Sequence, residues 1–235
     1  MNAQDLLEEL RPLGRDSYKR VLFKHGVREP CFGVKISDLQ PFVKRHRKDH
    51  RLALELYATG NYDAMYLAGL IADDARMTPD DLRTWVAQAY CRGLGGATVA
   101  WVAAGSPHGW DLGRDWIASD APLTAAAGWA SLASWVSVRP DPELDLTELK
   151  RLLQGVRKTI HGAADPVRYQ MNAFVIAVGS YVAPLTETAI QIAEAIGPVT
   201  ADLGDTACTV PAAADYIRKV QQRGTIGKKR KTAKC

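Results

Sequence analysis

Two groups of side chains in this sequence could do chemistry: basic residues toward both ends and tryptophans in the middle. Lys35, Lys44, Arg45, Arg47, Lys48 and Arg51 cluster on or just after one predicted helix. Lys228, Lys229, Arg230, Lys231 and Lys234 form a second cluster near residue 235. Such ammonium and guanidinium groups neutralise phosphates along a duplex or a folded RNA. Nothing among them reads base identity. Trp85, Trp101, Trp110, Trp116, Trp129 and Trp135 all fall within 51 residues. A Trp on an apolar helix face ordinarily packs in the core. Stacking on an exposed sugar or base is the functional reading for Trp85 and Trp110.

The charge map sharpens the first group. The chain has 235 residues and a formal net charge of +4. From Arg11 to Arg51 there are 12 basic and 4 acidic residues, and from Arg218 to Cys235 there are 8 basic and none acidic. The intervening residues 52–217 carry 10 basic and 19 acidic residues. Two basic ends flanking an acidic middle point to a polyanionic partner, most simply nucleic acid, DNA or RNA, with a protein as the alternative. The bland reading is a solvated basic face plus a separate basic tail over 218–235.

Other reactive types are uninformative. Cys31, Cys91, Cys208 and Cys235 are far apart, with no CxxC and no Cys/His cluster at zinc spacing. They read as free thiols in a reducing compartment. No metal and no cofactor is indicated. His25, His46, His50, His108 and His161 lack ligand spacing. Ser106 lacks a nucleophile elbow, and Gly93-Leu94-Gly95-Gly96 has no preceding strand and no Lys-Ser/Thr.

The composition is that of an ordinary globular chain, 47% hydrophobic and 24% charged. That excludes a disordered chain, a collagen-like chain and a disulfide miniprotein. The longest uncharged stretches, Gly93 to Trp110 and Tyr169 to Thr186, read as buried helices and not as membrane spans. The first ten residues lack a basic-then-apolar leader, so a cytoplasmic monomer is expected.

The elements that must position these residues are helical. Leu39, Phe42, Val43 and His46 follow helical spacing after Ser37. Arg51 to Thr59 is stopped by Gly60, and Asn61 caps a helix with Tyr62, Met65, Ala68 and Ile71 inward. Thr78-Pro79-Asp80-Asp81 is a helix start with Leu82, Trp85, Val86 and Ala89 on one face. Asp145 to Ile160 aligns Leu149, Leu152, Leu153, Val156 and Ile160. Asp165-Pro166 opens a helix burying Val167, Met171, Phe174 and Val178, and Pro184 and Pro211 open two more. No segment alternates with period two between turns. About a dozen short helices in series, all-α, describe a HEAT- or armadillo-like superhelix over residues 1–217. A compact orthogonal bundle is the alternative.

Four motifs in order resemble the DNA alkylation repair family, the HEAT-repeat alkylpurine DNA glycosylases. Phe32-Gly33-Val34-Lys35-Ile36-Ser37-Asp38-Leu39 is similar to its entry motif. Leu54-Glu55-Leu56-Tyr57 with Gly60-Asn61-Tyr62-Asp63-Ala64 and Leu67-Ala68 is similar to its next helical pair. Trp116-Ile117-Ala118-Ser119-Asp120 resembles its W-x-x-S-acid turn, and Val167-Arg168 a later helix start. The likeness covers residues 15 to 195. Residues 204–231 look like a divergent branch.

The resemblance implies a C-shaped stack of helical repeats whose basic concave face grips duplex DNA. It also implies excision of purines alkylated at N3 or N7. Such a base leaves readily, and a carboxylate beside the sugar stabilises the developing cation. Aromatic side chains pack on the sugar-phosphate and an Arg holds a phosphate. This sequence departs from that pattern. One turn after Trp85 stand Ala89 and Tyr90, not an acid. The stretch that should bring the Arg reads Leu123-Thr124-Ala125-Ala126-Ala127-Gly128-Trp129. Phe174 stands near the third aromatic position. Asp111 and Asp115 are the substitute catalytic acids the resemblance leaves.

Overall fold

A computed structural model describes residues 2–234. Thirteen α-helices and no strand occur among the described residues. They are α1 (Ala3–Leu10), α2 (Asp16–Lys24), α3 (Ile36–His46), α4 (His50–Ala58), α5 (Tyr62–Ile71), α6 (Pro79–Gln88), α7 (Ala100–Gly105), α8 (Gly109–Trp116), α9 (Pro122–Val138), α10 (Leu146–Thr159), α11 (Asp165–Tyr181), α12 (Thr186–Ile196) and α13 (Ala213–Gln222). A π-type stretch, Leu94–Val99, runs directly into α7.

Local chemistry sets the helix starts. Thr78 Oγ1 accepts the Asp81 N–H at 3.1 Å, and the Asp81 carboxylate accepts the Thr78 N–H at 3.0 Å. This reciprocal cap satisfies two donors that a helix N-terminus otherwise leaves bare. Asn61 caps α5 through the Asp63 and Ala64 N–H groups. Asp145 caps α10, which buries Leu149, Leu152, Leu153 and Val156 along one stripe.

The helices stack in two layers. In the central row, α5 packs on Leu94–Val99, the Leu94–Gly105 segment on α9, α9 on α11, and α11 on α13. Helices α4, α8 and α12 pack on this row, and α10 packs on α12. This is the serial architecture the sequence pattern suggested, and the orthogonal-bundle alternative falls away.

Small residues let α8 and α9 approach closely. A Cβ on Gly128 would stand 2.7 Å from the Ile117 backbone nitrogen and 2.8 Å from the Gly113 carbonyl oxygen. Ten of the 17 residues of α9 are buried.

Two of the expected site aromatics belong to this core. Trp85 is 2% exposed and stacks on Tyr57, with ring centroids 4.1 Å apart and planes 6° from parallel. The Tyr57 hydroxyl donates to the Trp85 carbonyl oxygen at 2.8 Å. Phe174 is fully buried with its ring 5.1 Å from that of Trp129. Each sits on the apolar face of its helix, and neighbouring helices cover that face. Neither ring is available to a nucleic acid.

Of the segment expected as a separate tail over 218–235, residues 218–234 are partly helix and partly a docked strap, and residue 235 lies outside the described residues. Residues 218–222 complete α13, and Ile217 beside them is fully buried. Gly227–Lys234 then crosses the central row. The Gly227 N–H donates to the Ser180 carbonyl oxygen and the Arg230 N–H to that of Ser137. Ala233, 4% exposed, joins the core of the N-terminal half.

Truncating Trp85 to Ala should therefore cost about 3–5 kcal/mol of unfolding free energy in a denaturant titration. A loss below about 1 kcal/mol would contradict its place in the Tyr57 stack.

Candidate nucleic-acid interface

The strap brings the two basic ends of the sequence together. Arg47 and Lys48, just after α3, line one hollow with Asp73, Asp74, Thr232 and Lys234. Lys234 Nζ donates to the Ala72 carbonyl oxygen at 2.9 Å, 162 residues away, and lies 2.7 Å from the Asp74 carboxylate. Burial pushes the Asp74 carboxyl above the usual aspartate range, and the Lys234 ammonium works against that rise.

At its other end the strap walls a larger cavity of about 630 Å³. Its floor comes from α9 and α11, including Ala130, Ala133, Ala173 and Ala177. Its rim carries Tyr216 of α13, Arg223, Lys228, Lys229 and Arg230. No acidic residue lines this cavity.

The basic candidates divide by what they already hold. Lys229 is an anchor: its Nζ donates to the Val136 carbonyl oxygen at 2.9 Å and lies 2.8 Å from the Asp141 carboxylate. Arg45 pairs with Glu9 at 2.6 Å and Arg51 with Glu55 at 2.7 Å. Lys35, Lys44, Arg47, Lys48, Lys228, Arg230 and Lys231 form no salt bridge among the described residues, and all are exposed. Arg223, which the sequence reading passed over, is likewise exposed and without an acid partner.

The remaining candidates lie elsewhere. Asp111 and Asp115 are exposed on α8, where they line a separate hollow with Arg114, Ile117 and Arg151. None of these five lines the cavity under the strap. Trp110 is half-buried against the C-terminal core, with the Arg114 guanidinium 5.8 Å from its ring centre. One helical turn beyond Trp110 is thus a cation, held by Glu148 at 3.1 Å. No group of three or more His, Cys, Asp or Glu able to hold a metal occurs among the described residues. No single helix among them is long and apolar enough to cross a membrane.

With this geometry in view, comparison with known proteins is decisive. The family model for the DNA alkylation repair enzyme matches residues 4–213. The chain belongs to the DNA alkylation repair family. An uncharacterized protein of Listeria innocua is 30% identical over 221 residues, spanning 92% of this chain and 95% of that one. An uncharacterized protein of Listeria monocytogenes is 29% identical over 222 residues, with the same coverage. A solved structure with a TM-score of 0.92 and 34% identity covers all of both chains. It is described as a new family of proteins related to the HEAT-like repeat DNA glycosylases with affinity for branched DNA structures. The HEAT-like all-α fold expected from the sequence is the fold of this chain.

Two outcomes test the site's surroundings. Burial raises the Cys31 thiol to about 12 and also raises that of Cys91. In the native protein at pH 8 both should resist iodoacetamide while the exposed Cys208 is alkylated, as read by peptide mass spectrometry. Asp74 has a folded value above its unfolded one, so its contribution favours folding at low pH and is lost as pH rises through the folded value. The stability of the native protein relative to Asp74→Asn, measured by denaturant unfolding from about pH 3 to about pH 7, should therefore fall as pH rises.

Proposed function

We propose that this chain is a cytoplasmic, monomeric DNA-binding protein of its family that holds branched DNA on the basic surface built around the strap. One observation carries the reading. Basic segments at opposite ends of the sequence, Arg47-Lys48 and residues 228–234, meet around one hollow and continue along the strap to the larger cavity. Cations without acid partners on such a continuous track are what phosphate neutralisation requires. The HEAT-like relative with affinity for branched DNA supports the choice of nucleic acid.

Excision of N3- or N7-alkylated purines is the second activity that the family brings. It needs a carboxylate beside the departing base's sugar. The cavity under the strap is lined by Ala, Gly, Ser, Thr, Ile, Val, Tyr, Gln and basic residues, with no carboxylate. Asp111 and Asp115 open onto another hollow. Our reading is therefore binding with excision that is weak or absent.

Binding should weaken steeply with salt. If about six phosphates are neutralised, the log-log slope lies near −5. Replacing Lys228, Arg230 and Lys231 together by Gln should reduce that slope by about 3. These three residues hold no acid in the fold, so stability should be retained. Failure of the full chain to shift either a junction or a duplex at low salt would defeat the proposal. In a release assay on N7-methylguanine DNA, the product should stay at the level of the uncatalysed control. Turnover abolished by Asp111→Asn or Asp115→Asn with binding intact would instead make one of those acids the catalytic carboxylate.

A further inference from the structure

The cavity under the strap has a polar interior that the fold does not use. Ser180 lines the cavity and is 4% exposed, and its buried hydroxyl has no hydrogen-bond partner. Gln170 is 7% exposed and makes no side-chain hydrogen bond. Its amide nitrogen lies against Gly96, only 2.5 Å from where a Cβ on that glycine would stand. Buried polar groups are ordinarily paired, because an unpaired one forfeits its hydration. Ser180 is such a group, and with the Gln170 amide it gives the 630 Å³ space a polar wall suited to a polar occupant.

The walls say which kind. Tyr216 lines the cavity and is 49% exposed, so its ring is free to take a partner from solvent. Arg223 and Lys228 stand at the rim without acid partners. The floor of Ala133 and Ala173 keeps the space open where longer side chains would fill it. The combination is a ring for a flat aromatic group, an amide and a hydroxyl for its polar edge, and cations for an attached phosphate. The volume falls in the range of small-molecule sites.

We infer that this cavity receives one unpaired nucleotide, with its base against Tyr216, its edge on Gln170 and Ser180, and its phosphate at Arg223 and Lys228. This rests on the DNA-binding reading above and deepens it. An amide offers both a donor and an acceptor, so Gln170 accommodates the edges of different bases. A base inside a duplex must be unstacked and unpaired before it can enter, at a cost of a few kcal/mol, whereas an unpaired base is spared that cost. The cavity thereby favours DNA with unpaired nucleotides, such as those at a branch point, over a continuous duplex.

The test uses the full chain and three probes: a plain duplex, the same duplex with one unpaired 2-aminopurine, and a three-way junction with one unpaired 2-aminopurine at its centre. The full chain should bind both unpaired probes more tightly than the duplex and quench their 2-aminopurine fluorescence. Tyr216→Ala, at an exposed position, should abolish the quenching and weaken binding of the unpaired probes by about ten-fold. Gln170→Leu, close in volume, should weaken the same two probes, and both variants should bind the duplex unchanged. Equal binding of all three probes by the full chain, or variants that quench and bind as it does, would overturn the inference while leaving DNA binding intact. Binding of none of the probes would overturn the proposed function and this inference together.

Discussion

Everything in this molecule is arranged around the close packing of α9. That helix must touch Leu94–Gly105, α8 and α11 at once, so its sequence is restricted to small side chains over most of its length. At Gly128 the restriction is absolute, because a Cβ would stand within 3 Å of the Ile117 nitrogen and the Gly113 oxygen. A backbone contact of that kind cannot yield as the end of a flexible side chain can. The same restriction shapes the opposite face of α9. Ala130, Ala133, Ser134 and Ser137 leave a shallow floor, over which the strap passes and beneath which the cavity stays open. Packing on one side of the helix thus determines accessible space on the other.

The electrostatics follow from how cations are allotted. Lys229 and Lys234 are committed to backbone carbonyls and to Asp141 and Asp74. Their half-buried ammonium groups fix the strap in position. Lys228 just before the first anchor, and Arg230 and Lys231 between the two, remain exposed. One short segment therefore alternates residues that hold it down with residues that face outward. Ion pairs at exposed surfaces contribute little, so the outward group can exchange water for phosphate without disturbing the fold. A second anchor of the same logic sits at the N-terminal end. The buried Asp63 carboxylate accepts N–H groups from Phe32, Gly33 and Val34 at 2.6, 3.2 and 2.8 Å.

Much of the fold was legible in the sequence. Asn61 and Thr78-Pro79 announced their helices through cap chemistry, and α10 announced itself through its stripe of leucines. The site was less legible, for identifiable reasons. Periodicity placed Trp85 and Phe174 on apolar helix faces, whereas the family resemblance made them site candidates; the neighbouring helices cover both faces, and both proved to be core. A lysine that anchors a strap has the same spacing and neighbours in sequence as one that awaits a phosphate, so Lys229 could not be told from Lys228. The buried polar pair left no trace either. Gln170 and Ser180 lie on α11 among apolar residues, and only the space under the strap reveals them. Tyr216 and Arg223 flank a basic stretch, the one signal that could have drawn attention to them.

A stack of helical repeats is mechanically a spring, since each unit leans only on its neighbours and small tilts accumulate along the axis. The strap adds a spoke across that spring, from Ser180 in α11, past Ser137 in α9, to Ala72 at the end of α5. Bending that would splay these three helices apart must also stretch or unseat the segment joining them. The softest deformation of the scaffold is therefore stiffened, and a bound polymer has to supply the compliance itself. A continuous double helix, with a persistence length of about 150 base pairs, bends reluctantly over so short a span. A nucleic acid with a built-in hinge swivels there at little cost.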